Sequence, residues 1–263
     1  MLHPGPSVLV TACFVAAAGA AEHRSPDPSV ALRLILVMLP IQFAIGALND
    51  LCDRDLDRVA KPRKPLAGGA LNPTLATIVS VAGIALGLGM ASTFPFPTPL
   101  LAATGAGAGV AYDLGLKRGL LSWLPYWVGF VALPVCAWAA VGRLHQPAVI
   151  AVPPLALVLA LSLHLANAGP DVAADRSAGA AGLAVRLGSQ WSRRISLLLS
   201  CAAGVAVAGA APALGQSALL VILGALPLVG AGAILWALPR ARPFPPLALG
   251  MGLLAAVWLL ALP

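Results

Sequence analysis

The chain has 263 residues, of which 60% are hydrophobic and only 10% charged, and its net charge is +7. A soluble globule carries about 25% charged residues, so this composition excludes one and makes lipid the solvent for the long apolar stretches. The positive charge does not indicate a nucleic-acid partner, because the basic residues lie in short loops between apolar segments, where they report membrane topology.

Taken in order, nine segments have the length and apolarity of membrane spans: roughly 6–21, 30–49, 71–93, 98–113, 121–140, 147–167, 192–211, 217–238 and 245–262. The first ends in Gly19-Ala20-Ala21, which resembles a secretory cleavage site, but no Lys or Arg precedes it, so it is read as a span. The fourth is short and rich in glycine. The four cysteines, Cys13, Cys52, Cys136 and Cys201, are widely separated and read as small apolar residues. The expected fold is an all-α polytopic bundle in one domain, 1–263, with a weak internal repeat over about 30–140 and 147–263.

The loops alternate between two faces. The face holding 50–70, 114–120, 168–191 and 239–244 collects thirteen of the 16 Lys and Arg residues, Arg193, Arg194, Arg240 and Arg242 among them; Arg24, Arg33 and Arg143 are the other three. The positive-inside rule makes this face cytoplasmic, with the N-terminus inside, the C-terminus outside, and the protein in the cytoplasmic membrane. Arg33, just inside the second span, is expected to snorkel outward. Seven of the nine acids share the cytoplasmic face: Asp50, Asp53, Asp55, Asp57, Asp113, Asp171 and Asp175. Topology does not ask for them.

A shift of 118 residues places Asn49, Asp53, Asp57 and Arg58 on Asn167, Asp171, Asp175 and Arg176, so N-x-x-x-D-x-x-x-D-R occurs twice, each time at the end of an inward span. Positions i, i+4 and i+8 share one helix face. Each copy is therefore read as a stripe of oxygen ligands at a helix end, and two facing stripes suit Mg²⁺ shared with phosphate oxygens. Like charges at this spacing repel and need a counter-charge. Lys61, Arg63, Lys64, Lys117, Arg118 and Arg186 lie close in sequence and suit an anionic ligand. Lys117 and Arg118 stand out because Tyr112 and Asp113 precede them in the same short loop.

Asn49-Asp50-Leu51-Cys52-Asp53-Arg54-Asp55-Leu56-Asp57, continued by Lys61-Pro62-Arg63-Lys64-Pro65, resembles the N-D-x-x-D-x-x-x-D signature of the UbiA superfamily of membrane prenyltransferases. Asp171-Val172-Ala173-Ala174-Asp175 is similar to its D-x-x-x-D signature, and Tyr112 to Arg118 looks like its loop after the fourth helix. The resemblance covers nearly the whole chain and implies nine transmembrane helices around a central cavity. It also implies that Asn49, Asp50, Asp53, Asp57, Asp171 and Asp175 bind Mg²⁺ and a prenyl diphosphate, with Tyr112, Lys117 and Arg118 holding the leaving group. Arg63 and Lys64 are further diphosphate contacts on this reading, and Asn167 follows from the repeat more than from the signature.

The expected reaction is Mg²⁺-dependent transfer of an isoprenoid chain to an aromatic or lipid-like acceptor. Asp50, Asp57 and Asp113 stand as alternatives for the base, and His164, one turn before Asn167, for a contact to the acceptor. A terpene cyclase on the same fold needs the same acidic motifs. A metal-coupled transporter is the reading from another class, although the acids lie at the membrane edge with none at mid-span.

Overall fold

The computed structural model describes residues 4–144, 148–210, 212, 217–238 and 241–260. Among them the chain is helical throughout: α1 Pro4–Glu22, α2 Pro28–Cys52, α3 Arg54–Ala60, α4 Pro73–Ala91, α5 Thr98–Leu114, α6 Leu124–Ala140, α7 Ala148–Ala168, α8 Val172–Ser177, α9 Leu183–Leu187, α10 Ser189–Ala210, α11 Ala218–Ala237 and α12 Phe244–Leu260. Local chemistry sets the boundaries. Prolines stand in the first turns of α2, α4, α5 and α6, where a missing N–H costs nothing. The Asn72 side chain accepts from the Thr74 amide at 2.8 Å to cap α4. Gly115 ends α5, and Gly188, at φ 81°, turns α9 into α10.

The nine long helices fall on the nine apolar segments read from the sequence, including the glycine-rich fourth. Six of them form segments long and apolar enough to cross a membrane; the expected nine crossings go beyond that set. Sequential long helices pack side by side and α12 returns to α1, so the helices close into a ring. Small residues let backbones approach in this apolar setting. A Cβ on Gly87 of α4 would stand 2.6 Å from the carbonyl oxygen of Val37 on α2, so only glycine permits that packing.

Two arginines do more than the sequence suggests. Arg33 reaches outward past the end of α4, where its guanidinium donates to Thr93 and stacks over the Phe94 ring at 4.1 Å. Arg193, counted above as a topology determinant, donates to the carbonyl oxygens of Leu235, Leu238 and Ala241, capping the C-terminal end of α11 from α10. Arg240 lies outside the described residues.

The charged loops at this end of the bundle are not plain loops. The first acidic segment holds α3, the second holds α8 and α9, and the segment after α5 folds into two short 3₁₀ turns, Leu116–Arg118 and Leu120–Trp123. This corrects the expected single acidic stripe on one helix. Both motifs break at their middle aspartate, Asp53 at φ −93°, ψ 1° and Asp171 at φ −96°, ψ 4°. Each runs as long helix, bend, short helix. In the second copy Pro170 has no N–H to continue the α-helical ladder, and Gly169–Asp171 forms a 3₁₀ turn.

Candidate active site

The break at Asp53 sends the first motif in two directions. Asn49, on α2, donates from Nδ2 to Asp113 Oδ1 on α5 at 2.9 Å and to Asp53 Oδ2 at 3.2 Å. Lys117 Nζ approaches Asp53 Oδ1 at 2.6 Å and Asp113 Oδ1 at 3.7 Å. The buried Asp113 therefore shares one oxygen between an amide and an ammonium group, and its Oδ2 is buried with no hydrogen-bond partner.

Asp50 and Asp57 form a separate group. They are 2% and 4% exposed, and Lys64 bridges them at 2.9 and 2.6 Å. The loop carrying Lys64 turns tightly: Gly68 N–H donates to the Lys64 carbonyl at 2.8 Å, and a Cβ on Gly68 would stand 2.8 Å from the Pro62 carbonyl oxygen. Leu66 pins the same loop in the interior. Burial alone would lower the Lys64 pKa, but hydrogen bonds to Asp57 and Asp50 and the charges of both raise it above 10.5.

The second motif is joined to the first by Lys61, whose Nζ lies 2.8 Å from Asp171 Oδ2. Asp175 interacts electrostatically with Asp171, Asp53, Lys61 and Lys117, so both motifs and both lysines share one field. The loops are tied to each other as well. Ala181 N–H donates to the Arg118 carbonyl at 2.8 Å, and Leu183 N–H to Ser122 Oγ at 3.2 Å. The segment after Asp175 thus braces the Lys117 segment. Arg63 and Arg118 are exposed at this rim, their side chains turned to solvent.

Below the acids sits a ring cluster from three successive long helices. Tyr126 on α6 meets Tyr112 on α5 edge to face at 5.5 Å and His164 on α7 at 5.3 Å. Asn167 Nδ2 donates to the Tyr126 hydroxyl at 2.9 Å. His164 Nε2 and Ser122 Oγ are 3.0 Å apart, while buried His164 Nδ1 has no hydrogen-bond partner. Tyr126 and Gln42 also line a largely apolar cavity of about 220 Å³ between α1, α2, α5 and α6.

Lys61 and Asp113, both singled out in the sequence, stand in this cluster, and Tyr126 joins them. Lys61 and Asp113 carried a signal, a charge beside a motif. Tyr126, an aromatic near a membrane edge, reads as an interfacial anchor until packing places it. Among the described residues no three His, Cys, Asp or Glu side chains converge to hold one ion. The carboxylates instead alternate with ammonium groups, which fits Mg²⁺ completed by phosphate oxygens and not an all-protein cage.

The model of the UbiA prenyltransferase family matches residues 8–260. Among solved structures, a UbiA homologue from Aeropyrum pernix K1 is 21% identical with a TM-score of 0.76, over 95% of this chain and 96% of that one. A UbiA homologue from Archaeoglobus fulgidus bound to DMAPP and Mg²⁺ is 19% identical with a TM-score of 0.73, over 96% and 95% of the two chains. A structure of digeranylgeranylglyceryl phosphate synthase is 15% identical with a TM-score of 0.70, over 97% and 93%. At these identities the likeness is one of fold. No curated protein sequence matches the chain.

Proposed function

The chain belongs to the UbiA prenyltransferase family, and from that premise we propose that it transfers an isoprenoid chain from a prenyl diphosphate to an acceptor within a nine-crossing bundle, releasing diphosphate. One observation carries this reading: alternating aspartates and lysines stand directly above an apolar cavity. That layout suits a molecule with a polyanionic, metal-binding head and a hydrocarbon tail.

Asp53, Asp171 and Asp175 would hold Mg²⁺, with Asn49 beside them. When bound, Mg²⁺ supplies positive charge that stabilises the departing diphosphate. Lys117 and Lys61, which pair with aspartates, would turn to the phosphate oxygens as that charge builds. Arg63 and Arg118 reach the same ligand from the rim. The allylic cation faces Tyr112 and Tyr126, whose ring faces favour positive charge, and the cavity below keeps water away. The acceptor's electron pair closes the new bond, and its proton leaves to Asp113 Oδ2. Asp50 and Asp57 are less suited as base or metal ligands, since Lys64 holds both; they position the loop.

The test is incubation of the purified protein with Mg²⁺, prenyl diphosphates and candidate acceptors, with diphosphate release and product mass measured. Transfer requires an adduct and no turnover without acceptor. A hydrocarbon formed without acceptor makes the protein a cyclase, and ion flux in proteoliposomes without diphosphate release makes it a transporter. Asp113→Asn should lower turnover about 10²-fold or more while prenyl diphosphate still binds. Normal turnover in that variant would remove Asp113 from the mechanism.

A further inference from the structure

A second cavity, of about 620 Å³, lies between α1, α2 and the turn that joins them. The whole length of α2, roughly 36 Å at 1.5 Å per residue, separates that turn from Asp53. The site described above therefore makes no use of it. Its wall on α1 is the ridge Val8, Ala12, Ala16 and Ala20, spaced four apart on one helix face. Three of the four are alanines, so the ridge is low, and Ile35 and Leu39 of α2 form the other bank. Val8 and Ala12 are exposed, which leaves the groove open along its side. Thr11, the hydroxyl in this wall, is satisfied within its own helix, donating to the Ser7 carbonyl at 2.8 Å. From Val8 to Ala20 the groove runs roughly 18 Å, a little over half the hydrocarbon thickness of about 30 Å, the length of an acyl chain in one leaflet.

The mouth of the groove is of a different kind. The turn that closes it, His23 to Pro26, carries the exposed His23, Arg24 and Ser25. α1 stops there in a Schellman turn. Arg24 N–H donates to the Gly19 carbonyl and His23 N–H to the Ala20 carbonyl, both at 3.2 Å, with His23 in the left-handed region at φ 54°. Glycine is the usual residue in that position, and this chain places an imidazole there instead. A Cβ on Gly19 would stand 3.0 Å from the Arg24 carbonyl oxygen, so the turn folds closely back onto α1. Arg24 pairs with Glu22 at 3.5 Å. Asp27, next to the lining Pro26, is exposed and makes no capping hydrogen bond to α2. The mouth thus sets one guanidinium among two carboxylates.

We propose that this groove binds one phospholipid of the leaflet opposite the acidic motifs, with a head in which a phosphate is joined to a primary ammonium group. An acyl chain lies along Ala12 and Ala16, the phosphate oxygens take the Arg24 guanidinium, and the ammonium donates to the Glu22 and Asp27 carboxylates. A head with phosphate alone would meet two carboxylates for one guanidinium. A trimethylated head keeps the positive charge but has no N–H to donate. Binding here is independent of Mg²⁺ and diphosphate, and so of the proposed function, because the aspartates of that site lie at the other end of α2.

The experiment is native mass spectrometry of the delipidated, detergent-purified protein with phosphatidylethanolamine, phosphatidylcholine or phosphatidylglycerol of the same acyl chains, reading the bound fraction against lipid concentration. Expected is one phosphatidylethanolamine per chain, held on the order of tenfold tighter than either other lipid. Arg24→Gln should lower that affinity on the order of tenfold. Glu22→Gln combined with Asp27→Asn should erase the preference for the primary ammonium. Ala12→Phe, which fills the groove, should weaken phosphatidylethanolamine binding as Arg24→Gln does. Should Ala12→Phe not fold, the substitutions in the exposed turn decide alone. Equal affinity for the three lipids, a preference for phosphatidylglycerol, no retained lipid, or an unchanged preference in the charge variants overturns the proposal and leaves the groove an ordinary lipid-facing surface.

Discussion

Lys64 shows how a residue assigned to ligand binding can serve the fold first. Its ammonium group pairs with both Asp50 and Asp57, which are almost wholly buried. Removing one partner of a buried ion pair leaves uncompensated charge and costs about 3 kcal/mol or more. Lys64→Met should therefore lower stability by about that amount, read as the melting temperature in detergent. Its pH dependence has a definite sign. The folded pKa of Lys64 lies above its unfolded value of 10.5, so the stabilisation is complete below pH 10.5 and is lost as pH rises through the folded value. The melting difference between the unmodified protein and Lys64→Met should stay constant to about pH 10 and shrink above it. A difference that shrinks on acidification from about pH 8 to about pH 6 would show that Lys64 is not the group involved.

At the scale of elements, the helix–bend–helix unit places Asp53 and Asp171 at matching corners and gives each a lysine from a neighbouring loop. The like charges read from the sequence do demand a counter-charge, and Lys117 and Lys61 supply it. Asp53→Asn and Asp171→Asn should therefore weaken the ligand-free protein slightly, not relieve it. The exposed Asp171–Lys61 pair is worth about 0.5 kcal/mol, and the less exposed Asp53–Lys117 pair more. Both variants should also lose the rise in melting temperature given by Mg²⁺ with inorganic diphosphate; a full rise in both would take the aspartates out of the site. The long helices were legible because apolar runs punctuated by Pro, Gly and Asn72 have few other solutions in lipid. The paired motifs were legible because their spacing repeats. The bends were not, since regular spacing at 49, 53 and 57 is as consistent with one straight helix as with two. The pairing of Lys64 with Asp50 and Asp57 also escaped the sequence, because it depends on a loop turning back at Gly68. The ring cluster of Tyr112, Tyr126 and His164 required the neighbour order of α5, α6 and α7, which no local pattern states.

Across the whole molecule, the paired carboxylates and ammonium groups of the site gather at one end of an apolar ring. Every ion pair of the site joins segments that leave the same end of the bundle: the α2–α4 connection, the segment after α5 and the segment after α7. That end also carries most of the basic residues, as the positive-inside rule requires of a cytoplasmic face. We predict that the site faces the cytoplasm, with the N-terminus inside and the C-terminus outside. The measurement is cysteine labelling in sealed vesicles, on a background with Cys13, Cys52, Cys136 and Cys201 replaced. Ser189, exposed at the start of α10 and just after the second acidic segment, is the reporter for the site's face. Ser25, in the α1–α2 turn, is the reporter for the opposite face. An impermeant thiol reagent should reach Ser189→Cys only from the cytoplasmic side and Ser25→Cys only from outside. Reversed labelling of both would invert the protein and bring the diphosphate in from outside; labelling of both from one side would break the alternation of spans between them.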